Sequence, residues 1–201
     1  MAGASDKCAC TCGVAWINGN SEETKVTFEE LVHINCFSDD EEKRAEAAAL
    51  LEKNYCCEIN CTEIHPSVRF AHHARGCTIV AAKICENAVI FQNVTIGSNM
   101  RYNKKTQTWE DIGCPIIGRN AVIADGAKIL GPIVIGDNCV VGAGAIMTKD
   151  VPANNVAYGV NKFKMKNDDY DLVYNPNMVN PEKIIEENKR LIAIFEKDMD
   201  R

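Results

Sequence analysis

The chain has 201 residues, 46% of them hydrophobic and 25% charged, with a formal net charge of −6. That balance suits a folded domain rather than a disordered segment, and its acidic sign argues against non-specific nucleic-acid binding, which needs a basic footprint. No apolar run approaches the roughly 18 residues a membrane span needs, and the opening MAGASDKCACTCG lacks the basic and apolar regions of a signal peptide. A cytoplasmic protein with neither nucleic-acid nor membrane partners is expected.

Residues 1–25 show no periodicity and read as an irregular start. The cluster Cys8, Cys10 and Cys12 has C-x-C-x-C spacing, which does not match the C-x-x-C of a zinc knuckle, so no metal is expected. The cysteines number eleven, and Cys77, Cys85, Cys114 and Cys139 sit in apolar stretches, where a reduced thiol serves as a small hydrophobe. From Thr27 two helices are expected, TFEELVHI and SDDEEKRAEAAALLEKN. Ser38 or Asp39 would cap the second, with Lys53 near its end and Leu50 and Leu51 on its apolar stripe.

The middle of the chain has a different rhythm. Ile117, Ile123, Ile129, Ile135, Val141 and Met147 recur every six positions, and Ile84, Ile90 and Ile96 form an earlier register. Small residues stand two positions ahead of most of them, among them Pro115, Ala121, Ala127, Cys139 and Ala145. Neither a helix nor a simple strand produces a strict six. The period predicts short strands joined by tight turns, stacked coil on coil into a prism-shaped β-solenoid. Residues 98–114, SNMRYNKKTQTWEDIGC, interrupt the period as a polar loop, and such insertions are usually functional. After Pro152 the repeats stop. A basic tail, NKFKMKN, follows, and then a C-terminal helix capped by Asn180 with Pro181 in its first turn. The expected division is 1–54, an irregular start with short helices; 55–160, the solenoid with its inserted loop; and 161–201, basic tail and helix.

The hexads, with FQNVTIG at 91–97 and CPIIGRNAVIADGAKILGPIVIGDNCVVGAGAIMTKDVP at 114–152, resemble the hexapeptide-repeat acyltransferases, and within them serine acetyltransferase and its relatives. The resemblance runs from about Tyr55 to Lys166. It implies a mainly β fold, a left-handed parallel β-helix, and an acetyl-CoA-dependent O-acetyltransferase acting directly on the hydroxyl of a small acceptor. It also implies a homotrimer with active sites between subunits. Serine is the leading acceptor. Two departures bear on this: only about 55 residues precede the solenoid, where serine acetyltransferase has a large helical domain. The family's Arg-His-Pro segment, implicated in binding the acceptor, reads Gly113-Cys114-Pro115 here, which puts serine itself in question and leaves Cys114 to shape the acceptor pocket or simply to pack.

Acetyl transfer to a hydroxyl needs a base with a pKa near neutrality, and histidine has one. Counting back without a gap from FQNVTIG sets the family's catalytic histidine on His72, whereas His73-Ala74-Arg75-Gly76 resembles its His-x-x-Gly and points to His73. The base needs an acidic partner to hold its other nitrogen. Tyr55-x-x-Glu58-Ile59 resembles the family's Tyr-Gly-x-Asp-Ile and points to Glu58, and Glu63-Ile64-His65-Pro66 resembles the same segment and points to Glu63. By the same resemblance Ala124, Asp125 and Ala143 line the arm of acetyl-CoA, Thr148 and Lys149 contact the cofactor, and Lys166 meets its phosphates, with Lys162 and Lys164 beside it.

Three other readings follow from the same residues. A sugar or another small hydroxylated molecule could replace serine. The scaffold could be non-catalytic. A carbonic anhydrase on this solenoid would need three spaced histidines for zinc, and His33, His65, His72 and His73 do not supply them.

Overall fold

The computed structural model describes residues 26–98, 100–166 and 189–190. The Cys8–Cys12 cluster and the helix expected after Asn180 lie outside them.

Two helices open the described chain. α1 (Phe28–Phe37) starts with a capping box: the Thr27 hydroxyl accepts from the Glu30 backbone N–H, and the Glu30 carboxylate accepts from the Thr27 N–H at 2.8 Å. α2 (Glu41–Tyr55) is capped by Asp40, whose Oδ1 accepts from the backbone of Glu42 and Lys43. The expected caps, Ser38 and Asp39, are displaced because Asp40 alone stands one residue ahead of the first turn; Ser38 instead ends α1. The inner stripe of α2 is Ala47 and Leu51, while Leu50 is exposed.

The solenoid then has three faces. Face I stacks the start of β1 (Glu58–Ile64), the start of β3 (Thr78–Ile84), β5 (Thr95–Gly97), β10 (Lys128–Leu130) and β13 (Ile146–Met147), all parallel. Face II stacks the ends of β1 and β3 on β8 (Ile116–Ile117) and β11 (Val134–Ile135). Face III stacks β2 (Arg69–Phe70), β4 (Val89–Ile90), β9 (Val122–Ile123), β12 (Val140–Val141) and β14 (Asn155–Tyr158). Within the insertion, β6 (Met100–Asn103) and β7 (Thr108–Asp111) pair as an antiparallel hairpin. The segment expected to be a loop thus contains a strand hairpin, its ladder supported by the Arg101–Glu110 ion pair at 2.9 Å. The basic segment expected as a tail is also strand: β15 (Lys162–Met165) runs antiparallel along β14.

The hexad residues point inward. Ile117, Ile123, Ile129, Ile135, Val141 and Met147 are all fully buried, as are Ile90 and Ile96 from the earlier register. Each packs on its equivalent one coil away, and burying one such side chain contributes about 1.5–3 kcal/mol. The turns between faces II and III carry a ladder of asparagines in the left-handed region. Asn87, Asn120, Asn138 and Asn154 pass amide hydrogen bonds up the edge at 3.3, 3.0 and 3.0 Å. Asparagine tolerates this backbone, and its amide donates and accepts at once.

Candidate active site

The edge between faces III and I holds most of the chemistry. In the second coil four residues, Phe91 to Val94, link face III to face I; in the first coil the link is seven residues, Ala71 to Cys77. The expansion is anchored by Ala71 and Ala74, both fully buried, and lifts His72 and His73 between them to the surface. His72, His73 and Ala74 all have positive φ (53°, 56° and 48°), although none is glycine. Each costs on the order of 1–2 kcal/mol in that region, and such strain clusters at functional sites. The turn is pinned by its neighbours: Gly76 N–H donates to Cys56 O and Asn93 N–H to Arg75 O. Gly76 has φ +72°, and a Cβ there would lie 2.5 Å from Asn93 Oδ1, so a larger residue would be strained and would displace the Asn93 amide.

The two rings face different surroundings. His73 packs against Phe28 of α1 (5.2 Å between centroids) and Tyr55 of α2 (5.5 Å). His72 lies on the side of the following coil, 6.2 Å from Phe91. Glu58 begins the strand at the foot of this edge, opposite Thr78, and its Oε1 accepts from Asn60 Nδ2 at 2.7 Å. Ala124, Asp125 and Ala143 lie up the same edge, in the third and fourth coils. Asp125 Oδ1 accepts from Asn93 Nδ2 at 3.0 Å, and Gly144 N–H donates to Asp125 O.

The remaining candidates lie elsewhere on the prism. Glu63 is on face II, paired with Lys83 at 2.7 Å, one face away from the histidines. Cys114 and the Thr148–Lys149 pair share the edge between faces I and II, where the hairpin is inserted; Thr148 is held by Asn161, which donates to its hydroxyl and accepts its N–H. Lys166 lies at the edge between faces II and III, its N–H on Asn154 O. The structure therefore groups His72, His73, Glu58, Ala124, Asp125 and Ala143, and separates them from Glu63, Cys114, Thr148, Lys149 and Lys166.

Two residues of the histidine edge escaped the sequence reading. Asn93, at φ 57°, ties the expanded turn to Asp125. Lys128 reaches back along face I, its Nζ donating to Asn93 O at 3.2 Å and Thr95 Oγ1 at 2.8 Å. Asn93 carried a signal, since it holds the turn position that glycine fills at Gly126 and Gly144 in the following coils.

Comparison with known proteins bears on this geometry. The family described as "Bacterial transferase hexapeptide (six repeats)" matches residues 114–149. The solenoid is a hexapeptide-repeat structure. The serine acetyltransferase of Bacillus pumilus is 35% identical over 106 residues, covering 49% of this chain and 45% of that protein. That of Helicobacter pylori is 31% identical over 103 residues, covering 48% of this chain and 56% of that protein. The chain thus spans about half the length of the curated relatives it matches. A solved serine acetyltransferase in complex with cysteine superposes with a TM-score of 0.52 at 18% identity, covering 75% of this chain and 60% of that one. The shared fold is the left-handed parallel β-helix that the resemblance implied.

Proposed function

We propose that the protein is an acetyl-CoA-dependent O-acetyltransferase that moves the acetyl group to the hydroxyl of a small acceptor, with serine the leading candidate. The observation that carries this reading is the strained histidine pair on the one expanded turn, aligned along a single edge with Ala124, Asp125 and Ala143. The likeness to serine acetyltransferases over half the chain supports it.

In this mechanism acetyl-CoA lies along the edge between faces III and I, its amide arm against the small side chains of Ala124 and Ala143. His72, on the side of the second coil, faces that arm and takes the acceptor's hydroxyl proton as the oxygen attacks the thioester carbonyl. The same proton then goes to the leaving thiolate, so no acyl-enzyme forms. Glu58 steadies the imidazolium from the foot of the edge. His73, packed on Phe28 and Tyr55, positions its neighbour. Thr148, Lys149 and Cys114, on the edge between faces I and II, and Lys166, on the edge between faces II and III, would reach the cofactor and acceptor only from a neighbouring subunit. Cys114 shapes the acceptor pocket, and its replacement of the histidine in the family's segment favours a neutral hydroxylated acceptor as the second reading.

A homotrimer completes the site. Exposed apolar side chains flank the edge between faces I and II, with Leu130 and Ile146 on one side and Ile116 and Val134 on the other, a pattern that marks a contact surface. Light scattering should give three copies, and a monomer would remove a shared active site.

The deciding experiment is thiol release from acetyl-CoA with serine, homoserine and simple sugars, in the wild type, His72→Ala and His73→Ala. A base contributes about 10²–10⁴-fold, so turnover with one acceptor should fall by that factor in His72→Ala. Retained turnover in that variant overturns the role of His72. Silence across the panel with no acetyl-CoA binding overturns the activity.

A further inference from the structure

A cavity lies beside the histidine edge, between α1 and the first coil. It has a volume of about 350 Å³, within the lower part of the roughly 300–1,000 Å³ range of small-molecule sites. Its floor is apolar, built from Phe28, Val32, Ile64 and Phe70 among others. Its polar lining is three basic residues, His33, His65 and Arg69, against one acid, Glu29.

The donors are arranged by the fold. His65 Nδ1 accepts from the Ser67 N–H at 3.2 Å and lies 2.8 Å from the Ser67 hydroxyl. That hydroxyl is itself fixed, accepting from Asn87 N–H at 2.7 Å. With Nδ1 engaged as an acceptor, the neutral ring of His65 carries its proton on Nε2, which makes it a donor. Arg69 sits on the outward side of β2 and supplies a permanent cation with a forked set of N–H groups. His33 is braced by Phe37, 5.2 Å away ring to ring.

We propose that this cavity binds a small monocarboxylate with an apolar body. The carboxylate is held by Arg69, His65 and His33, and the body rests on Phe28, Val32, Ile64 and Phe70. A polyanion would meet Glu29 at the rim, and a neutral apolar molecule would gain nothing from the permanent charge of Arg69. Phe28 is a shared wall: one side lines this cavity and its ring also packs on His73. An occupant therefore presses on the support of the histidine edge without entering it.

Binding, rather than acetyl transfer, tests the proposal, so its failure is separable from failure of the proposed activity. Isovalerate and benzoate would be titrated against their amides by ligand-observed NMR, using the full chain and Arg69→Gln. The carboxylates should bind at least about tenfold more tightly than the amides, and Arg69→Gln should weaken them by a similar factor, as expected for loss of a charge-assisted hydrogen bond. The chain has four histidines, so imidazole spectra are simple enough to place the ligand. His33 and His65 should move on titration and His72 should not. Val32→Trp, which fills the cavity, should abolish binding while circular dichroism remains that of the wild type. Equal binding of acid and amide, no loss in Arg69→Gln, shifts centred on His72, or no binding at tens of millimolar would each overturn the proposal.

Discussion

Phe28 and His73 lie 5.2 Å apart, ring centroid to ring centroid, joining the first helix to the strained turn of the solenoid. Phe28 is 4% exposed and also packs edge-on against Tyr55 and Phe70. The helical start is therefore a buttress for the histidine turn. Truncating Phe28 to alanine should cost about 3–5 kcal/mol, read as a drop in the urea midpoint. Phe28→Leu, which keeps most of the volume, should recover much of that stability but less of any turnover, because it fills space without a flat surface for the imidazole. Equal recovery of both would show that His73 does not need the ring.

The asparagine ladder makes an ordered prediction. Asn120 sits at φ 53°, accepts from Asn87 and donates to Asn138. Asn120→Ala loses both amide bonds and sets a Cβ-bearing residue without local compensation in the left-handed region, at a combined cost of roughly 2–3 kcal/mol. Asn120→Gly removes the same bonds but not the backbone tolerance, so it should cost about half as much. Chemical denaturation of the two variants checks the order, and an alanine variant as stable as glycine would refute it.

Gly118 is required for room rather than for backbone freedom. A Cβ there would stand 2.6 Å from the backbone of both Gly136 and Asp137 in the next coil. Neither atom can withdraw without breaking the stack, and the adjoining Arg119–Asp137 pair, closed at 2.7 Å, locks the same two coils. Gly118→Ala should destabilise by about 1–3 kcal/mol or more, and melting temperature is the readout.

The thiols give a pH prediction. Burial pushes Cys57 and Cys61 from 9.0 up to about 12 in the folded state. The folded chain then holds protons that the unfolded chain has released, so this contribution to stability is intact below about pH 9 and is lost as pH rises toward 12. Unfolding free energy should fall across that window, less steeply in a Cys57→Ala, Cys61→Ala double variant. At pH 8, iodoacetamide should modify exposed Cys56 well before its buried neighbour Cys57.

The later coils were readable from sequence because their period is strictly local. Between Ile117 and Met147 a large aliphatic side chain points inward at every sixth position, and all six are fully buried. The assignment of Ala124 and Ala143 to one edge came from the family resemblance, since 19 residues separate them and the coil-to-coil spacing here is 18. The first coil resists it: Glu58 pairs with Thr78 and Thr78 with Thr95, so successive coils differ in length and the histidines sit on the difference. The hairpin within 98–114 was hidden because its apolar alternation spans only the four residues Met100 to Asn103, and polar pairs such as Arg101 with Glu110 and Asn103 with Thr108 fill the rest of its ladder. β15 did announce itself. Lys162-Phe163-Lys164-Met165 alternates with the period of a strand, and its lysines drew attention away from that rhythm. Distance between Lys166 and the histidine edge is a property of closure in three dimensions, which spacing along a chain does not express.

β15 also settles how the prism ends. A stack of parallel coils offers its last strand to any further strand running the same way, including one from another molecule. Here the final neighbour on face III runs in the opposite sense and occupies the hydrogen-bonding groups of β14 from Asn155 to Tyr158. Its outer rim carries the two cations Lys162 and Lys164. The reversal acts as a stopper: the parallel edge of β14 that would template a further coil is occupied by a piece of the same chain, and the strand that covers it carries charge.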